Sequence, residues 1–189
     1  MRNNFQITEY CHLLVKQFGA EEPGFCIDAT MGNGGDTVFL AQIVGKEGRV
    51  LAFDIQETAV STTKKALEDA GVSESADLIH DGHENMDKYA EPSSADIVMF
   101  NFGYLPGGDH SLSTNAESSL TAVRKGLDIL KKGGIMTLCI YSGGDTGFEE
   151  KEALLDFVTG LDQKKYIVIS HEYINRRNNP PLPVLIKKL

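Results

Sequence analysis

The sequence holds no apolar run approaching the length of a membrane span, so it does not describe an integral membrane protein. Its first residues, Met1 to Gln6, carry no signal-peptide core, and export is not expected. Repeats and low-complexity segments are absent. Cysteine is scarce. Cys11, Cys26 and Cys139 are scattered, odd in number and without metal-ligand spacing. That excludes a cysteine-based metal centre, implies no metal, and points to reduced thiols in a cytoplasmic protein. Positive charge is also short, with 18 Lys and Arg against 27 Asp and Glu and a net charge of −9. The whole molecule is therefore no electrostatic trap for nucleic acid, and any RNA contact needs a local basic patch or the groove of a homodimer. What remains is ordinary for a globular chain: 189 residues, 41% hydrophobic and 24% charged, enough for one domain over 1–189 with a full-sized core.

The chain is organised around Phe25 to Thr37, Phe-Cys-Ile-Asp-Ala-Thr-Met-Gly-Asn-Gly-Gly-Asp-Thr. A short apolar run of buried-strand character, Phe25 to Ile27, is closed by Asp28. Gly32, Gly34 and Gly35 follow, and a helix starts at Asp36. Glycines let the backbone turn sharply and let a ligand approach it closely. The helix N-terminus points free N–H groups at that ligand. A dinucleotide loop wants Gly-x-Gly-x-x-Gly/Ala, but here Thr37 stands at the last position and Asp36 would face a pyrophosphate. S-adenosylmethionine (SAM) has no phosphate and carries an ammonium and a sulfonium, which Asp28 and Asp36 suit better. The loop therefore favours SAM over NAD, with Asp28, Gly32, Asn33, Gly35 and Asp36 as cofactor-binding candidates.

Helical spacing of Ile7, Tyr10, Leu14 and Phe18 predicts a leading amphipathic helix over 6–18, stopped by Gly19. His12 on it has no partner in view and reads as a surface or core-edge histidine. Arg49 to Asp54 reads as a buried strand ending in an acid placed to accept hydrogen bonds from two ribose hydroxyls. Gln56 follows, beside the ribose or adenine. A helix over 57–70 ends at Gly71. A third strand, Ala76 to His80, leads into the loop Asp81-Gly82-His83, which reads as an adenine contact. His83 is also a candidate base, although a lone loop histidine is more often a ligand contact or a cap.

The fourth strand ends at Asn101 and runs into Asn-Phe-Gly-Tyr-Leu-Pro-Gly-Gly-Asp, residues 101–109. Ligands of open α/β sheets bind past the carboxyl ends of central strands. Asn-x-Gly-Tyr there has the shape of the Asn-Pro-Pro-Tyr loop of amino-group methyltransferases. An attacking amine must be neutral and in line with the methyl. An Asn carbonyl accepts its N–H and aims its lone pair, and an aromatic such as Tyr104 stacks on a base or steadies developing positive charge. A helix over 113–130, capped by Ser113 or Thr114, follows. Then come a buried strand Ile135 to Tyr141, a glycine loop at 142–147, a helix over 148–161, a strand over 164–173, a connector, and a closing strand from Val184. Six strand–helix steps with a hairpin-like last strand predict the methyltransferase variant of the doubly wound α/β sheet. That is a Rossmann-like class I fold of seven strands, mostly parallel with the last antiparallel, and helices on both faces.

The chain resembles, over nearly its whole length, the small bacterial SAM-dependent methyltransferases labelled putative rRNA methylases, now associated with wobble-uridine modification in tRNA. The resemblance rests on the glycine stretch from Asp28, on Phe53-Asp-Ile-Gln56, on residues 101–109, on Tyr141-Ser-Gly-Gly144 and on Asn175-Arg-Arg-Asn-Asn-Pro-Pro181. It implies methylation of the amine of 5-aminomethyl-(2-thio)uridine at the tRNA wobble position. Asn33, Asp36, Asp54, Gln56 and His83 would then touch SAM, Asn101 and Tyr104 would hold the amine, and His83 and Asp109 would be polar neighbours. Arg176, Arg177 and the 178–181 connector would form a substrate-side edge. The chain departs from the family pattern at Gly35 and Gly143-Gly144, where relatives often carry His or Asn and Gly-His. No histidine role carries over to those positions. The competing readings are an rRNA methyltransferase and a small-molecule amine methyltransferase, the latter supported by the acidic charge.

Overall fold

The structure is a computed structural model and describes residues 6–102, 115–142, 147–177 and 179–189. In chain order the elements are α1 (Ile7–Phe18), β1 (Phe25–Asp28), α2 (Gly35–Val44), β2 (Arg49–Asp54), α3 (Glu57–Ala70), β3 (Ala76–His80), β4 (Ala95–Asn101), α4 (Ala116–Ile129), β5 (Leu130–Ile140), α5 (Gly147–Thr159), β6 (Tyr166–Ser170) and β7 (Leu182–Lys188). A 3-10 turn, His83–Lys88, separates β3 from β4.

All seven strands form one sheet in the order β3-β2-β1-β4-β5-β7-β6. Neighbours from β3 to β5 are parallel. β7 is antiparallel to both β5 and β6, so β6 shares the direction of the first five. The expected antiparallel last strand is therefore present, and it is inserted between β5 and β6. Chain order reverses between β1 and β4, which opens a crevice at the carboxyl ends of those strands. Both carry the residues singled out in the sequence.

The pleat sends alternate side chains of the central strands to opposite faces. Ile97 and Met99 join α1 and α2 in one apolar cluster, while Val98 and Phe100 join α4 and α5 in another. With both faces covered, Ile135 to Ile140 of β5 is buried throughout. Among the described residues no helix is long and apolar enough to cross a membrane.

Several boundaries differ from those expected. The inward face of α1 is Ile7, Cys11, Leu14 and Val15, and Phe18 is exposed. The cap of α4 is Asn115, whose side chain accepts from the N–H groups of Glu117 and Ser118, rather than Ser113 or Thr114. An Asn at this position satisfies two donors that the first helical turn leaves open. Residues 131–134 do not separate α4, which stops at Ile129, from the strand that follows. They form an irregularity inside β5, where the pairing moves from Ala95↔Leu130 to Ile97↔Ile135. Gly133 takes φ 82° there.

Candidate active site

The glycine loop sits at the carboxyl end of β1 and is stitched to both neighbouring strands. Ala29 donates its N–H to the carbonyl of Met99, and Met31 donates to that of Phe53. Gly32 and Gly34 adopt φ 50° and 84°, the left-handed region where glycine carries no side-chain penalty. Gly34 is also pressed against α3, since a Cβ there would lie 3.0 Å from the Thr63 Cα. Gly35 differs, because nothing lies within 4 Å of where its Cβ would be. Open space thus lies over the first turn of α2, where unpaired N–H groups emerge. Asn33 and Gly35 are exposed on this rim.

Asp28 lies wholly beneath the loop. Its carboxylate accepts from the Thr37 hydroxyl at 2.6 Å and from the Thr30 N–H at 3.1 Å, with no exposed surface. Burial, reinforced by the nearby Asp36 carboxylate, pushes its pKa up to about 7 against the pull of those hydrogen bonds. Its visible role is to brace the loop from below.

Asp54 ends β2 on the other side of the loop. One carboxylate oxygen accepts from the Gly32 N–H at 3.1 Å and the other from the Gln56 N–H at 2.9 Å. It therefore ties strand to loop rather than capping α3, whose N-cap is Gln56. Each oxygen retains a lone pair for an incoming hydroxyl. Gln56 is buried beside it. Gly82 and His83 approach from the end of β3 and are also buried. His83 Nδ1 lies 3.3 Å from the Ala29 carbonyl, which only accepts, so the ring proton sits on Nδ1. Burial pushes the His83 pKa down.

Asn101 is fixed at both ends. Its backbone N–H donates to Thr30 Oγ1 at 2.7 Å, and its side-chain Nδ2 donates to Asp36 Oδ2. Asp36 Oδ1 is held in turn by His12 Nε2 at 2.6 Å. The His12 ring stacks on Phe39, with centroids 3.9 Å apart and planes within 9°. A chain of contacts thus runs from α1 through the first turn of α2 to the end of β4. Asn101 Oδ1 is left buried with no hydrogen-bond partner among the described residues. His12 is the functional candidate that sequence reasoning missed. Its contact with Asp36 exists only because α1 crosses the start of α2, and no local motif signals it. Tyr104, Asp109, Gly143, Gly144 and Asn178 lie outside the described residues.

A glycine loop at the switch point, an acid ending β2, and an antiparallel β7 inserted beside β5 define a class I SAM-dependent methyltransferase fold. The comparisons carry this further. Residues 50–187 match the family described as "Putative rRNA methylase", and the chain belongs to that family of SAM-dependent methyltransferases. It is 34% identical over 190 residues to the "tRNA (mnm(5)s(2)U34)-methyltransferase, chloroplastic" of Arabidopsis thaliana, covering 96% of this chain and 69% of that protein. A "putative rRNA-methylase" from Clostridium thermocellum superposes with a TM-score of 0.92 at 49% identity, over 97% of this chain and 98% of the other. A "putative methyltransferase" from Streptococcus mutans, in complex with SAH, gives a TM-score of 0.86 at 37% identity over the same shares.

Proposed function

We propose that the protein is a tRNA methyltransferase that transfers a methyl group from SAM to the 5-aminomethyl group of the wobble (2-thio)uridine, giving the 5-methylaminomethyl form. The observation that carries this reading is the Asn101 amide. Asp36 accepts from its Nδ2, so its Oδ1 is the oxygen left to accept an N–H. A buried acceptor at the end of β4 takes one N–H of a primary amine and so aims its lone pair, while the burial itself favours the neutral amine. The name of the Arabidopsis relative fits the same substrate.

The residues present fit the cofactor. Open space over Gly35 and the α2 N-terminus accommodates the methionine end, the Asp36 carboxylate in that first turn suits its cationic groups, and Asp28, buried beneath, braces the loop rather than touching the ligand. Asp54 holds the ribose hydroxyls with its remaining lone pairs, Gln56 lies alongside, and Gly82 and His83 border the adenine. Asn33 and Gly35 form the rim. When bound, SAM supplies an electrophilic methyl on sulfur. Asn101 then orients the amine, and the sequence pattern assigns Tyr104 to the base and Asp109 to the amine. Proximity and orientation do most of the work. His83, buried and with its basicity lowered by that burial, serves as a wall of the cofactor site rather than as the base. The amine proton leaves to water after transfer.

Residues 1–189 act as one methyltransferase domain in this reading, in a cytoplasmic setting that suits the buried free thiols, and a homodimer widens the RNA footprint. The test is nucleoside mass spectrometry on tRNA carrying 5-aminomethyluridine, incubated with the protein and SAM. A gain of one methyl on the wobble nucleoside is expected. Clear SAM binding without that gain would sink the substrate assignment, and the same assay on rRNA or on free amines would then identify the acceptor.

A further inference from the structure

A cavity of about 290 Å³ opens at the carboxyl end of β5, beside the site described above. Tyr141, Tyr173 and Arg176 line it, with Gln6, Ile7, Thr8 and Pro181 completing the wall. Asn101 pairs with Cys139 across β4 and β5, and Tyr141 lies two residues further along. Strand spacing and rise therefore put the Tyr141 Cα about 8 Å from that of Asn101. The cavity is thus next to the reacting position and distinct from the cofactor loop, which lies toward β1 and β2.

Three of its lining side chains, Tyr141, Tyr173 and Arg176, are planar. The Arg176 guanidinium rests 4.8 Å from the centre of the Tyr173 ring, a planar cation stacked on an aromatic face. That arrangement pre-orders the fork of N–H donors and leaves a flat surface. Tyr141 supplies a second ring, and burial raises its pKa, so it stays neutral. The connector from His171 to Pro181 holds Arg176 and Arg177 against a single acid, Glu172, in a chain whose net charge is −9. Both arginines are exposed, and Ile174 between the two features is 94% exposed. Flat aromatic surface, a stacked guanidinium and local positive charge are what an unpaired nucleobase and its phosphate require.

We propose that this cavity is a second nucleobase site, which takes the base of a nucleotide flanking the one that is methylated. This rests on the RNA reading above and adds to it where the neighbouring nucleotide goes. Aromatic stacking makes the site tolerant of base identity, while Arg176 holds the adjoining phosphate. The protein thereby selects a single-stranded loop over a free nucleoside, because only a polymer fills both sites together.

The test is equilibrium binding of a fluorescein-labelled anticodon stem-loop RNA in the presence of SAH, by fluorescence anisotropy. Tyr173→Ala and Arg176→Ala are expected to weaken RNA binding about tenfold each. Tyr173→Phe keeps the ring and should bind as wild type does. The Kd for SAH and the thermal midpoint should not move in any of the three. In turnover, the two alanine variants should raise KM for the RNA and leave kcat within about twofold, as expected for uniform binding. On free 5-aminomethyluridine nucleoside they should match wild type. Unchanged RNA binding in both alanine variants, or equal losses on nucleoside and RNA, overturns the second site, as does a wild-type protein that binds no RNA. RNA binding that weakens in the variants while wild type transfers no methyl supports the second site and removes the amine assignment instead.

Discussion

Asn101 Nδ2 donates to a carboxylate, so flipping the amide would set a carbonyl oxygen against Asp36. His12 locks Asp36 from the other side, and Phe39 holds the His12 ring. Asn101→Ala should therefore lower kcat about a hundredfold, the scale of a lost orienting contact, while the SAM Kd stays within about threefold. An equal loss of SAM binding would reassign the residue to the cofactor. His12→Phe keeps the stack and removes the hydrogen bond. It should lower kcat with KM for SAM unchanged, and His12→Gln should recover part of the loss. Asp28 makes a separate prediction. Its pKa is raised from the ordinary carboxylate range to about 7, so between about pH 4 and pH 7 the native state keeps a proton that the unfolded chain has lost. Stability should fall as pH rises through that window and level off above it. Urea midpoints from pH 4.5 to 8 should show that slope in wild type, and Asp28→Asn should flatten it. Equal slopes in the two proteins would mean that Asp28 does not carry the titration.

Elements with a strong local signature were legible in the chain. The short apolar runs of β1, β2 and β3 and the helix over 57–70 stand where the pattern puts them, because apolar strands bounded by polar residues and glycine-stopped helices announce themselves. The acid at the end of β2 and the glycine loop were readable for the same reason. Contacts between distant elements were not. Nothing local says that α1 turns Cys11 inward and Phe18 outward, that α4 runs straight into β5, or that His12 meets Asp36. Each depends on how one helix crosses another. Caps lie between these cases. Ser113, Thr114 and Asn115 are all good capping residues, and the expectation of Ser113 or Thr114 stopped short of the Asn115 that caps the helix. Asn115→Ala removes the acceptor for two N–H groups of α4 and should cost about 1 kcal/mol, a fall of roughly 2–4 °C in thermal midpoint. Gly34→Ala should cost more. It adds at least about 1–2 kcal/mol of left-handed strain to a Cβ that would stand 3.0 Å from Thr63 backbone. A smaller loss for Gly34→Ala than for Asn115→Ala would mean that the loop backbone can rearrange away from the conformation seen.

At the scale of the whole molecule, the acidic surface and the proposed RNA substrate pull in opposite directions. A net charge of −9 repels a polyanion, so binding must come from a small area where the local field is reversed. The connector with Arg176 and Arg177 is such an area, at the same end of the sheet as Asn101. A contact that neutralises only two or three phosphates of a single-stranded loop gives a shallow salt dependence, with log Kobs falling against log[salt] at a slope of about −1.5 to −2. Anisotropy titrations across a range of KCl concentrations measure it directly, and the Arg176→Ala, Arg177→Ala double variant should make the slope less steep by about 1. A much steeper wild-type slope would require a positive surface wider than this edge. Two edges brought together in a dimer would supply that surface, and sedimentation velocity with and without RNA would then show a second protein copy joining the complex. A shallow slope with one protein per RNA would instead leave stacking in the Tyr141–Tyr173 cavity as the main source of affinity, and would make the enzyme selective for an open loop rather than for the fold of the tRNA.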